Sequence, residues 1–372
     1  MTNIHERRGW PAFTWDDGAL AGALAAVRHK QGRHLGKMEA HGFDVRAEAS
    51  WITLTDDVVQ SSAIEGERLN PEEVRSSIGR RLGLDVAGLP RPGRNVDDVV
   101  EMMLDATRRF DVPLTAERLF GWHAALFPTG RSGTHRITVG AWRTGKAGPM
   151  QIVSGPVGRE RVHFEAPAAS RLAAEMKRFL QWFNARAGID PVLKAGVAHF
   201  WFIALHPFDD GNGRIARAIT DMALSRADGT RDRFYSMSSA IERERKEYYR
   251  RLESAQRGSL DITEWLAWFL ACLDRALDDA DRTLRSVLDK ARLWERIRRR
   301  SLNERQQTVV ARMLGGDFEG HLTTSKYAKL AKCSTDTALR DIRELQDRGI
   351  LVRNAPGGRS TSYRLGDSDE AR

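Results

Sequence analysis

Residues 206–217 read His-Pro-Phe-Asp-Asp-Gly-Asn-Gly-Arg-Ile-Ala-Arg, and these types at this spacing suit chemistry on phosphate esters. Asp210 is a hard oxygen ligand, and magnesium takes one or two such carboxylates together with substrate phosphates. Gly211, Asn212 and Gly213 free the backbone to aim several amides at one point, a nest for an anion. A helix from Arg214 onward adds its positive N-terminal end to the same place. Arg214 and Arg217 stand three apart, so both can face the phosphates from that helix. His206 beside such a seat is a natural base for a hydroxyl nucleophile. A chance turn accounts for Gly-Asn-Gly, but not for the histidine, the acid and both arginines together.

Such a segment needs rigid neighbours. Residues 192–205 are apolar nearly all round, which predicts a helix at the centre of a bundle. Proline at 207 ends it, and Phe208 turns back into the core to anchor the turn. Residues 168–183, through Leu172, Met176, Phe179 and Phe183, and residues 262–277, through Trp265, Phe269 and Leu273, read as amphipathic helices. Asn70-Pro71-Glu72-Glu73 starts a helix with a side-chain cap, a first-turn proline and acids at the positive end. Chain breaks fall at 88–93 and 127–130. Residues 150–153 and 161–164 flank 154–158 as a β-hairpin.

Beyond the basic run 296–300 the pattern changes. Residues 305–314 read as a helix, and Thr323 or Thr324 caps a short one running to Ala331. Ser334 or Thr335 caps a longer one running to Arg348. Strands at 350–353 and 361–365 then enclose a loop with a basic tip. This order predicts a winged helix-turn-helix. The chain therefore reads as mainly α, in three domains: an N-terminal helical domain over 1–93, a central domain carrying the phosphate motif over 94–290, and a winged helix over 301–366.

Bulk composition narrows the class. The 372 residues suffice for two or three cores, and no run approaches the length of an apolar membrane span. Residues 1–10 lack the apolar centre of a secretory signal. Cys272 and Cys333 have no spacing partners, which disfavours a disulfide framework or zinc site and fits a reducing cytoplasm. Lys and Arg number 59 against 50 acids, a net charge of +9 that suits a polyanion as partner or a solvated basic surface.

The segment 206–217 resembles the signature of the Fic family, His-x-Phe-x-Asp/Glu-Gly-Asn-Gly-Arg-x-x-Arg, at every motif position. The resemblance extends over roughly 10–285, including Trp10-Pro11-Ala12-Phe13-Thr14-Trp15, which looks like the start of the N-terminal domain of many bacterial members. It implies a Fic helical bundle with a β-hairpin flap. It further implies transfer of AMP from ATP to a Ser, Thr or Tyr hydroxyl of a target protein or of the chain itself. By the same resemblance His206 deprotonates the hydroxyl, Asp210 holds Mg2+, and Gly211, Asn212, Gly213 and Arg214 cradle the phosphates. Arg217 grips the γ-phosphate. The family's kinase-like branch carries lysine at the place of Gly213, so glycine here favours nucleotidyl over phosphoryl transfer without choosing ATP over another donor.

Further matches come from outside the motif. Gly140-Ala141-Trp142-Arg143 resembles the stretch ahead of the Fic flap. The nearby near-P-loop at 140–147 ends in Ala147, which has no hydroxyl for magnesium, and no helix pattern follows. The hairpin resembles the flap that aligns a target by strand addition, and Glu160, Arg161, Val162 and His163 occupy the place that touches the nucleotide. Tyr248, Tyr249 and Gln256 match positions that pack against or hydrogen-bond adenine, one of the two tyrosines being expected in the core. His199 reads as a packed core histidine.

Ser61-Ser62-Ala63-Ile64-Glu65-Gly66 resembles the family's inhibitory motif. Ser61 and Glu65 share one helix face and Gly66 terminates the helix. The implied brake is charge competition, in which Glu65 pairs with Arg217 and removes the group that orients the γ-phosphate. In related members this glutamate also supports removal of AMP, so the net direction stays open. Members often dimerise, which leaves a homodimer open as well. A rival function uses the winged helix to bind DNA or dock protein, with Arg340, Arg343 and Arg348 diluted by Asp336, Asp341, Glu344 and Asp347, and with Arg353 and Arg359 on the wing.

Overall fold

The computed structural model describes residues 2–154, 159, 161–185, 188–298, 302–314, 318, 320–354 and 361–366. It is mainly helical, and it divides into two compact units, 1–282 and 283–372. The division falls inside one long helix.

The first unit begins with α1 (Asp17–Glu39), α2 (Phe43–Ile64), α3 (Pro71–Leu82), α4 (Arg94–Arg108) and α5 (Ala116–Leu126). Two short hairpins follow, β1 (Arg131–Ser132) with β2 (His135–Arg136) and β3 (Gln151–Ser154) with β4 (Arg161–Glu165). Then come α6 (Leu172–Asn184), α7 (Pro191–Leu205), α8 (Asn212–Asp228), α9 (Met237–Arg243), α10 (Arg245–Arg257) and α11 (Thr263–Arg298). The cap expected from sequence at Asn70 forms, and a second one stands at Asp190. The Asn70 side chain accepts from the Glu72 amide at 2.9 Å with Pro71 in the first turn, and Asp190 does the same for α7 at 2.7 Å.

The all-apolar segment becomes α7, buried without interruption from Ala195 to Leu205. A helix with no polar face must be covered on every side. It lies against α6 and α8. The indole of Trp265 on α11 donates to the Gly196 carbonyl of α7 at 2.9 Å. A Cβ at Gly196 would stand 2.9 Å from Leu266, so only glycine lets the two helices meet this closely. α2 packs on α3 and α9 and reaches α8. The N-terminal segment is stitched to the chain just before α11, where the Thr14 amide donates to Leu260 O and the Ile262 amide to Thr14 O, both at 2.9 Å. Residues from 1–93 and from 94–282 share one hydrophobic core.

In the second unit α12 (Glu304–Leu314), α13 (Thr324–Leu330) and α14 (Thr335–Asp347) precede β5 (Leu351–Arg353) and β6 (Tyr363–Leu365). Thr323 caps α13 and Ser334 caps α14. Their core gathers Val309, Val310, Tyr327, Ile342, Leu345 and Ile350. β5 and β6 pair antiparallel with Leu351 opposite Leu365. Among the described residues no helix is long and apolar enough to cross a membrane, and Cys272 and Cys333 are both free.

Candidate functional site

The motif forms the turn from α7 into α8. His206 caps α7 in the left-handed region at φ 45° and ψ 59°, a conformation that costs a non-glycine residue roughly 1–2 kcal/mol. The buried Arg143 holds it there, its Nε donating to His206 O at 2.8 Å and its amide to Pro207 O at 2.9 Å. The ring Nδ1 lies 3.4 Å from Ile203 O. A carbonyl can only accept, so Nδ1 carries the proton and Nε2 keeps its lone pair. Burial pushes the imidazole down to about 4; Arg143 adds to this, and the Ile203 carbonyl, Glu65 and Asp210 offset it only in part. His206 is thus neutral at neutral pH, with a free nitrogen.

The loop after it is locked from within. Asn212 accepts from the Phe208 amide at 2.9 Å and donates to the Phe208 carbonyl at 2.8 Å. Its side chain closes the loop, leaving only its backbone amide for a ligand. Helix α8 starts at Asn212, two residues earlier than the sequence suggested, because Gly211 at φ 79° is the cap. A Cβ on Gly211 would come within 2.8 Å of the Phe127 ring. His123, fully buried and stacked on Phe208 at 4.2 Å, accepts from the Gly140 amide at 3.3 Å. Its other nitrogen therefore donates to Asp210 O at 3.1 Å. The Asp210 carboxylate accepts from Ser132 and, at 2.6 Å, from the Gly211 amide; Asp209 accepts from the Thr138 amide at 2.8 Å.

Both arginines of the motif are engaged by the C-terminal end of α2. Arg217, 1% exposed, donates from Nε to Ser61 Oγ at 2.9 Å, and through one terminal nitrogen to Ser61 O and Glu65 Oε1, each at 2.8 Å. Its other terminal nitrogen is buried and has no partner. Glu65 caps α2, and its carboxylate covers Gly213 so closely that a Cβ there would lie 2.0 Å from Oε1. Arg214 pairs with Glu67 at 2.6 Å and lies over the Phe127 ring. Sequence reasoning did not single out Glu67, nor His123 and Ser132 as buttresses; their partners lie 147, 87 and 78 residues away, beyond any local spacing signal.

The remaining expected residues lie on α10 and β4. Tyr248 is in the core, its hydroxyl 2.9 Å from His199 Nε2, while Tyr249 is 41% exposed with its hydroxyl 3.4 Å from Ile64 O. Thr220 donates its hydroxyl to Ala216 O and so accepts from His199 Nδ1 at 2.8 Å, which makes His199 the neutral core histidine expected. Gln256 is buried with its amide nitrogen unpartnered. His163 and Arg161 both meet Glu253 of α10, at 2.9 and 3.3 Å, and Val162 is exposed. Glu160 lies outside the described residues. No group of three or more metal-ligating side chains stands together among the described residues.

Comparison with known proteins agrees with this geometry. Residues 113–224 match the Fic/DOC family, and residues 3–84 match a domain of unknown function, DUF4172. The protein adenylyltransferase fic-1 of Caenorhabditis elegans is 28% identical over 206 residues, 55% of this chain and 37% of the relative. The protein adenylyltransferase Fic of Drosophila mojavensis is 25% identical over 227 residues, 59% of this chain and 40% of the relative. The chain thus spans about two fifths of the length of these curated relatives. In fold it is similar to a Fic family protein from Desulfovibrio desulfuricans G20, with a TM-score of 0.55 at 21% identity, covering 97% of this chain and 99% of that one. A Fic domain containing signaling protein from Bacteroides thetaiotaomicron VPI-5482 superposes with a TM-score of 0.52 at 18% identity, over 70% and 98% of the two chains. Motif, fold and relatives together point to a Fic/DOC domain over residues 113–224.

Proposed function

We propose that the chain transfers AMP from ATP to a Ser, Thr or Tyr hydroxyl of a protein, itself included, and that Glu65 holds the reaction off. The observation that carries the reading is the pair of buried arginines at the start of α8, each neutralised by a carboxylate of the chain itself and each keeping one nitrogen without a partner among the described residues. A seat so built suits a polyphosphate. The amides of 211–213 and both arginines hold the β- and γ-phosphates in this reading. Tyr249 offers an exposed face to the adenine and Gln256 an unused donor. His206 takes the hydroxyl proton on Nε2 as the oxygen bonds to the α-phosphorus, and the bond to the β-phosphate oxygen breaks to release pyrophosphate.

Magnesium fits the donor set. One carboxylate, Asp210, is held only by exchangeable hydroxyl and amide donors, which matches the ion's habit of taking a single carboxylate plus phosphate oxygens. Bound there, it would neutralise charge on the departing pyrophosphate. The brake follows from Arg217, which cannot serve a γ-phosphate while tied to Ser61 and Glu65. The test is magnesium-dependent transfer of label from α-labelled ATP. Glu65→Gly should raise self-labelling roughly tenfold or more, and no gain removes the brake. His206→Ala should lower transfer about 10²–10⁴-fold. If the double variant Glu65→Gly, His206→Ala still labels itself, the chemistry is wrong.

A second reading gains support from α14. Asp341 is buried against Arg305, so one of the four acids is withdrawn from the surface, and Glu344 is tied to Gln306 at 2.8 Å, while Arg340 and Arg343 are exposed. This unit then binds DNA as a winged helix, Arg353 assisting; Arg359 lies outside the described residues. A gel shift that weakens with added salt supports it, and no shift at low salt removes it.

A further inference from the structure

We infer that Glu67 is a second prong of the α2 clip, one that sets the affinity for nucleotide by withholding Arg214. The inference rests on the reading that a nucleotide's phosphates sit on the start of α8. Gly66, at φ 85°, turns the chain between Glu65 and Glu67. Ser62 O accepts from the amides of both glutamates, at 3.1 and 3.0 Å, so the three-residue turn is one unit hung on the end of α2. That geometry sends the two carboxylates to different arginines. Glu65 takes Arg217, and Glu67 takes Arg214 at 2.6 Å.

The two prongs differ in what they hold. Arg217 is bound by three contacts, from the Ser61 hydroxyl, the Ser61 carbonyl and Glu65. Among the described residues Arg214 has only Glu67 as a charged partner, and its Nε is buried with no acceptor. Its side chain is 8% exposed whereas that of Glu67 is 40% exposed. An enclosed guanidinium with one acceptor gains from a phosphate oxygen, while the carboxylate it releases returns to water. Glu67 and the phosphate therefore compete for one cation. Glu65 acts on the orientation of the terminal phosphate and hence on turnover; Glu67 acts on binding.

The experiment measures calorimetric affinity for the magnesium complex of α,β-methylene-ATP, which cannot be split between its first two phosphates. The proteins are wild type, Glu65→Gly, Glu67→Gln and the double variant. Glu67→Gln keeps the size of a half-exposed side chain and removes its charge. It should bind roughly 3- to 10-fold tighter than wild type, and the gain should recur in the Glu65→Gly background. In that background KM for ATP should fall by a similar factor with kcat unchanged, a split that a merely structural role would not produce. Equal or weaker binding by Glu67→Gln overturns the inference, because Glu67 then holds Arg214 in place for the nucleotide. If none of the four proteins binds the analogue, the nucleotide-site reading itself fails. If all bind alike, only the role of Glu67 fails.

Discussion

A base acts in its unprotonated form, so the enclosure of His206 gives its proposed role a kinetic consequence. With the imidazole pushed down to about 4 by burial, a neutral ring persists well below the 6.5 of a free histidine. In the Glu65→Gly form, the rate of label transfer should keep its plateau on lowering the pH through 6.5 and fall only toward 4. A midpoint at 6.5 in the rate profile would mean that the ring is solvated. The chemistry-bearing residues of the turn were legible because they lie within one short stretch, where spacing alone brings them together. Their partners were not. Arg143, His123, Ser132 and Glu67 reach the turn from other elements, and only packing shows that one orients His206, two brace Asp210 and one neutralises Arg214.

At the scale of elements, the helices announced by caps and by apolar periodicity formed where expected, from Asn70 before α3 to Ser334 before α14. α11 ran on to Arg298, past the stripe read at 262–277, because stripe positions such as Ala280, Leu284 and Val287 continue it more sparsely. The hairpin was legible as a hairpin, but not its register, which shifts between Ile152 and Val153. Nor was its anchor. Arg257 of α10 donates to the carbonyls of His163 and Val162, each at 2.6 Å, and pairs with Glu253 at 3.2 Å. A two-stranded hairpin is marginal by itself, so these bonds supply much of its order. Arg257→Ala should speed amide exchange in residues 151–154 and 161–165 at least severalfold, with a smaller effect on the thermal midpoint, since the half-buried arginine ties down β4 without belonging to the hydrophobic core. Unchanged exchange would show that strand pairing alone holds β4.

For the whole molecule, the same burial that assembles the site makes its stability depend on pH. His123 and His199 are fully enclosed, and burial pushes them down to about 4 and about 3 from 6.5. The unfolded chain therefore binds protons that the folded one refuses. The stability tied to each ring is complete above 6.5 and is lost as the pH falls through 6.5 toward the folded value. The loss is on the order of 3–5 kcal/mol per ring. An opposing set sits where α2 meets α8 and the chain beyond it. The Arg233 guanidinium faces Asp221 at 2.8 Å and Asp228 at 3.6 Å, and Asp57 accepts from Ser236 at 2.5 Å. Burial raises the carboxyls of Asp57, Asp221 and Asp228 above 3.8 although Arg233 lowers them. Their sign is reversed, for they favour the folded state at low pH and lose that contribution as the pH rises above 3.8. Acid unfolding thus reflects a contest that the histidines win only between 6.5 and about 4. Urea midpoints for wild type should fall across that window. In the double variant His123→Gln, His199→Gln the fall should shrink, since glutamine can replace the hydrogen bonds without taking a proton, and His206 is left to supply part of what remains. Parallel curves for the two proteins would place the acid sensitivity elsewhere in the chain.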